Sequence, residues 1–253
     1  MSQNYSPLFK FILRLADTNL ILAQRLSEWT GHGPFLEEDL ALTNIALDMM
    51  GTSRSFYDYA AKIEGKNRTE DDLAFLRNER EFFNPLICEL PKGDYAFTIA
   101  KLFFINAFQV PFYAELSKSS DETIAGISAK AYKESSYHLR HTSSWIERFG
   151  LGTSESHNRL QKAIDELWRF TDDIFTFHED YSILIETGVV PDLKSIKDAW
   201  IVKVESVLLI SDLKIPANVF MQHGSLNGVH TEHLGYLLTE MQYLQRTYPG
   251  ARW

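Results

Sequence analysis

At 253 residues the chain is long enough for one large domain or two small ones, and its apolar fraction of 45% is ordinary for a globular protein. Acidic residues outnumber basic ones 34 to 25, for a net charge of −9 without any basic run, which argues against nucleic acid and against an anionic membrane as partners. The single cysteine, Cys88, excludes an internal disulfide and fits a reducing compartment; the opening MSQNYSPLFKFI has no basic start followed by an unbroken apolar run, so a cytoplasmic protein is expected.

Helical periodicity runs through the chain. Residues 7–29 place Leu8, Phe11, Leu15, Leu22, Leu26 and Trp29 on one stripe, with Asn19 in its gap, and Gly31-His32-Gly33-Pro34 turns the chain. A second helix is expected from about 35 to 63, opened by Glu37, Glu38 and Asp39 and stopped by Gly65, with Leu42, Ile45, Met49, Thr52, Phe56 and Tyr59 on one face. Thr69 and Asp72 resemble a capping box for a shorter helix to about 80. Asn84-Pro85 and Pro91-Lys92-Gly93 then break the chain.

Asp94 caps a helix expected over 95–118, where Ile99, Leu102, Asn106, Val110 and Tyr113 share a face and Pro111 introduces a kink. Its window 96–116 is the most apolar in the chain, yet holds Lys101, Asn106 and Gln109, and so reads as a buried helix rather than a membrane span. Asp121 caps the next helix, 121–149, whose stripe runs through Ile124, Ile127, Ala131, Ser135, His138, Thr142, Trp145 and Phe149. Further helices are expected over 154–177, 192–210 and 231–246, with 217–230 irregular and no alternating strand pair. The expected fold is all-α: one domain over 1–253, with a four-helix bundle over about 7–149 and additional C-terminal helices over about 154–246.

His138 lies inside an apolar stripe, where a histidine is either a hydrogen-bonded core residue or a metal ligand. Four-helix bundles can hold a carboxylate-bridged di-iron site, which takes one Glu from each of two helices and Glu-x-x-His from each of the others. The spacing puts a carboxylate and an imidazole on one helix face. The chain contains no Glu-x-x-His; Glu134, His138 and His141 form the nearest approach. His230-Thr231-Glu232-His233 also has the look of a metal cluster, although Thr231 and Glu232 suit a first helical turn. Tyr236, Tyr243, Tyr248 and Trp253 give the chain an aromatic ending that fits either core or interface. Asp172-Asp173 reads as a solvated pair, and Arg14 and Lys101 as snorkelling or paired cations. Cys88 reads as an inert thiol, and no Gly-rich phosphate loop is present.

Four stretches carry a resemblance: LSEWTGHGPFLEEDLALTNIALDMMG at 26–51, KAYKESSYHLRHTSSWIERFG at 130–150, LWRFTDD at 167–173 and GVHTEHLGYLLTEMQYLQRTYPGARW at 228–253. On these the chain resembles the ferritin-like structural subunits of the bacterial phenylacetyl-CoA epoxidase, a ring-1,2 monooxygenase. The resemblance implies a non-catalytic scaffold beside a paralogous catalytic partner that carries the di-iron centre, with a reductase and a small bridging subunit as further partners. Self-association is left open. The paralogue's ligand pattern falls here on Asn19, on Met49 and Thr52, on Asn106, and on Ser135 and His138, so five of six ligand positions lack their ligand. No metal or cofactor is expected in this chain, and His230, Glu232, His233, Tyr236, Tyr243 and Trp253 are its interface candidates. The alternative is a self-sufficient di-iron oxygenase or ferroxidase using Glu134, His138 and His141, with His230 and His233 as further candidates; a free-standing helical binding protein is a third reading.

Overall fold

The computed structural model describes residues 5–251, in which there are ten α-helices and no strand. The chain is all-α, with the four long helices of the ferritin-like class. It forms two compact units. One comprises the chain up to Pro91, Phe177–Ser182 and the stretch from Gly224 onward; the other comprises Lys92–Thr176 and Ile183–His223.

The first unit is built on an antiparallel pair, α1 (Pro7–Ser27) and α2 (Leu36–Glu64). Ser6 starts α1 by accepting the Phe9 N–H, and Pro7 supplies a preset φ at the first helical position. Gly65, at φ 66°, ends α2 in the left-handed conformation that a side chain disfavours. The register shows in the Ser53 hydroxyl, which donates to the Ala16 carbonyl at 2.8 Å. Short helices α3 (Glu70–Phe75) and α4 (Leu86–Glu89) follow. The Thr69–Asp72 capping box that opens α3 is present as the sequence predicts. That helix stops at Phe75 rather than near 80, because Arg77 turns inward to a buried carboxylate.

The second unit contains α5 (Tyr95–Leu116), α6 (Glu122–Gly150), α7 (Ser154–Leu167) and α9 (Leu193–Ile210). The short helix α8 spans Ser182–Glu186. Asp94 and Asp121 cap α5 and α6 as expected, and Thr153 caps α7. Long and apolar enough to cross a membrane by length and composition, α5 is mostly buried and serves as a core helix. The buried line of α6 runs through Ile124, Ser128, Ala131, Ser135, His138, Thr142 and Ile146. Trp145 and Phe149 lie half-buried beside it and pack on Tyr95. Trp200 of α9 donates its indole N–H to the Phe104 carbonyl at 2.9 Å within a cluster that includes Trp168 and Phe175.

Two expectations need correction here. The helix expected over 154–177 ends at Leu167 and continues as 3-10 turns, with the hydroxyls of Thr171 and Thr176 bonding back to the carbonyls of Trp168 and Asp173. The pair Asp172-Asp173 is not jointly solvated: Asp172 bonds Lys197 at 2.5 Å, while Asp173 is fully buried.

In the first unit, α10 (Glu232–Thr247) closes over α3. Gln242 donates to the carbonyls of Ala74 and Arg77, and Arg246 to those of Leu76 and Arg77. These C-terminal side chains satisfy orphan carbonyls at the end of α3, where a cation also complements the helix dipole.

Candidate functional site: buried polar positions and enclosed carboxylates

All six positions singled out by the resemblance are buried, at most 4% exposed. In the first unit, Asn19 gives its amide N–H to the Leu15 carbonyl at 2.8 Å, one turn back on its own helix, while Met49 and Thr52 are buried on α2. In the second unit, α6 buries Ser135 and His138, and Thr142 donates to the His138 carbonyl at 2.9 Å. Asn106 of α5 is fully enclosed, and neither end of its side-chain amide has a hydrogen-bond partner among the described residues.

These residues do not fit a pair of iron ions. Two irons need bridging carboxylates and oxygen-rich coordination spheres. The positions supply two amides, a soft thioether, two neutral hydroxyls and one imidazole. Nor does the fold assemble the other candidates. Glu134 pairs with Lys130 at 3.3 Å along α6. No group of three or more His, Cys, Asp or Glu side chains is placed to share an ion among the described residues.

The charged chemistry of the first unit is concentrated elsewhere. Asp17 of α1 is fully buried and accepts from the Tyr57 hydroxyl at 2.5 Å, from the Arg77 guanidinium and from the Phe83 N–H at 2.8 Å. Arg77 also donates to the Leu73 and Glu81 carbonyls and lies over the Phe82 ring. Burial, reinforced by the Asp17 charge, pushes the Tyr57 phenol well above its ordinary value. Burial opposes the Arg77 charge, but Asp17 and Tyr57 more than offset it, so the guanidinium stays protonated. Arg14, also buried, donates to the Phe83 carbonyl at 2.7 Å and to Ser225 at 3.0 Å.

A second enclosed carboxylate, Glu89, sits at the end of α4. It accepts from the Thr231 N–H at 2.6 Å and from the Asn84 amide at 3.2 Å. His230 Nδ1 lies 3.0 Å from Glu89 Oε2, and His230 Nε2 lies 3.0 Å from the Phe82 carbonyl. The Phe82 carbonyl only accepts, so Nε2 carries a proton, and a positively charged ring donates at both nitrogens. Burial works against that charge, but the Glu89 hydrogen bond and charge outweigh it and raise the His230 pKa above its usual range.

The interface candidates fall in different places. The side chain of His230 is wholly enclosed between Glu89 and the Phe82 carbonyl, while the residue as a whole is half-buried. Glu232 is exposed, Tyr236 and Tyr243 are 70% and 59% exposed, and His233 is half-buried. Trp253 lies outside the described residues. Sequence reading missed Asp17, Arg77 and Glu89, although Asp17 inside the apolar run of α1 and Glu89 beside Leu86, Ile87 and Cys88 were visible anomalies.

A family model described as "Phenylacetic acid catabolic protein" matches residues 1–253. The chain is 46% identical over 248 residues to one of the subunits of the 1,2-phenylacetyl-CoA epoxidase of Escherichia coli (strain K12), covering 98% of this chain and 100% of that protein. The chain belongs to the phenylacetic acid catabolic protein family.

Proposed function

We propose that this chain is the non-catalytic structural subunit of a cytoplasmic, multicomponent phenylacetyl-CoA 1,2-epoxidase, and that during aerobic phenylacetate degradation it stabilises a paralogous di-iron catalytic subunit. The observation that carries this reading is the set of six buried positions, Asn19, Met49, Thr52, Asn106, Ser135 and His138, which keep their depth in the helices without the carboxylates that iron requires. The relative's name, a subunit of an epoxidase for phenylacetyl-CoA, supplies the reaction and the expectation of partner chains.

In this reading the complex epoxidises the aromatic ring with O₂ and with reducing equivalents delivered by a reductase, and the assembly is completed by a small bridging subunit. The catalytic partner holds the di-iron centre; this chain contributes folded surface and rigidity. Its exposed Tyr236 and Tyr243 are large aromatic anchors of the kind that interfaces use.

The test is co-expression with the catalytic paralogue, followed by purification and metal analysis of each separated chain. The expected result is a stable complex with iron stoichiometric in the paralogue only. Two irons bound by this chain in isolation, with O₂ consumption, would sink the proposal in favour of the self-sufficient oxygenase.

A further inference from the structure

Within the second unit, α6 and α9 both pack on α5 more than on one another, and a trough runs between them. One half is a cavity of about 490 Å³, floored by Ala107, Pro111 and Ala114 of α5 and walled by Tyr132, Ile196 and Ala199. The other half is a cavity of about 500 Å³ between Ser143 and Glu147 of α6 and Val207 and Ile210 of α9. Leu139 and Lys203 line both cavities, so the two are continuous. Large apolar side chains stand exposed along the flanking helices, Tyr132 and Tyr137 on α6 and Val202, Leu209 and Ile210 on α9, with Leu209 81% exposed.

We infer that this trough is the seat of an acidic amphipathic helix from another member of the complex. The inference rests on the assembly role proposed above and adds where one partner docks and what chemistry it presents. Length is the first argument. Tyr132 to Glu147 spans about 22 Å of α6 at ~1.5 Å per residue, four turns of a docked helix. The shape follows. Small residues at Ala107, Ala114 and Ala199 let a helical ridge approach closely, whereas a small-molecule site would be enclosed rather than open along its length.

Charge sets the partner's chemistry. The chain as a whole carries −9, yet the trough holds Lys203 and Arg140, and neither has a carboxylate partner among the described residues. Glu115 at one end is paired with Lys118 at 2.7 Å, which leaves Glu147 as the opposing charge at the other. A helix with apolar residues at i, i+3/i+4 and i+7, flanked by Asp and Glu, complements both the floor and the cations.

The experiment reconstitutes the full-length chain with the other epoxidase subunits and measures assembly by light scattering and titration. Ala199→Trp fills the trough; Lys203→Glu reverses its charge and leaves the core untouched. Both should weaken assembly on the order of tenfold or more while melting as the wild type does, and the Lys203→Glu loss should shrink as salt is raised. A photo-crosslinking residue at position 199 should capture an acidic helical segment of a different polypeptide of the complex. If Ala199→Trp fails to fold, Lys203→Glu and the crosslink still decide. Undiminished assembly of Lys203→Glu, or a crosslink to a second copy of this chain, overturns the inference while the assembly role stands. Failure of the wild type to assemble removes both.

Discussion

Replacing His230 by Ala tests whether the ion pair with Glu89 holds the C-terminal helix to its unit. The substitution leaves the Glu89 carboxylate buried without its countercharge, and it strips the Phe82 carbonyl of its donor. Losing one partner of a buried pair costs about 3–5 kcal/mol. Glu89 keeps the Thr231 N–H and the Asn84 amide, so a value near the lower end, about 3 kcal/mol, is expected. For a chain of this size that is a fall in melting temperature of roughly 6–12 °C, read by scanning calorimetry. The pH dependence gives the sharper test. The folded pKa is raised above the unfolded value near ~6.5, so the stabilisation is complete below about pH 6.5 and is lost as pH rises through the folded value. The stability gap between wild type and His230→Ala should therefore narrow as pH rises above about 6.5. A gap that stays constant or widens as pH rises, or one under about 0.5 kcal/mol at pH 6, refutes a charge-assisted His230–Glu89 pair.

Other perturbations follow from the same structure. Arg77→Ala leaves Asp17 enclosed with only the Tyr57 hydroxyl and the Phe83 N–H, and should cost about 3–5 kcal/mol in urea denaturation, against about 1–2 kcal/mol for Tyr57→Phe. Gly150→Ala should lower stability by about 1–3 kcal/mol, because a Cβ there would lie 2.3 Å from the Ser211 carbonyl; an unchanged melting curve would show that this close approach relaxes freely. His138→Ala, measured in the assembled complex, should reduce turnover only in proportion to the folded protein lost, within a few kcal/mol of destabilisation; loss of turnover with intact assembly would instead assign His138 a direct role. Tyr236→Ala together with Tyr243→Ala should leave the melting temperature nearly unchanged, within about 0.5 kcal/mol in stability, but weaken binding to the partner subunits in a titration.

The long helices were legible because their signals are local. The 3.6-residue stripe of α1, the capping aspartates at 94 and 121 and the left-handed Gly65 each act within a few residues, and all appear in the fold. The burial of Asn19, Asn106 and His138 follows from the same stripes, whereas their correspondence to ligand positions is implied by the resemblance alone. The C-terminal boundary of α7 was not legible: apolar and aromatic residues run on past Leu167, and the threonine-bonded 3-10 turns depend on where Trp168 and Phe175 pack.

Pairings across long sequence separation belonged to the tertiary structure alone. A string such as HTEH is equally compatible with an exposed metal cluster, a partner contact and an internal ion pair. Only the fold brings Glu89 and the Phe82 carbonyl to the two ring nitrogens of His230, across more than a hundred intervening residues, and so decides that its imidazole is enclosed. Asp17, Tyr57 and Arg77 meet for the same reason, since a charge buried in an apolar helix is stable only where other segments deliver its donors. The sequence by itself determined the helices and their buried faces, because period settles those. Which buried charges pair, and which aromatics remain exposed, depended on chain closure over long separations, which periodicity does not encode.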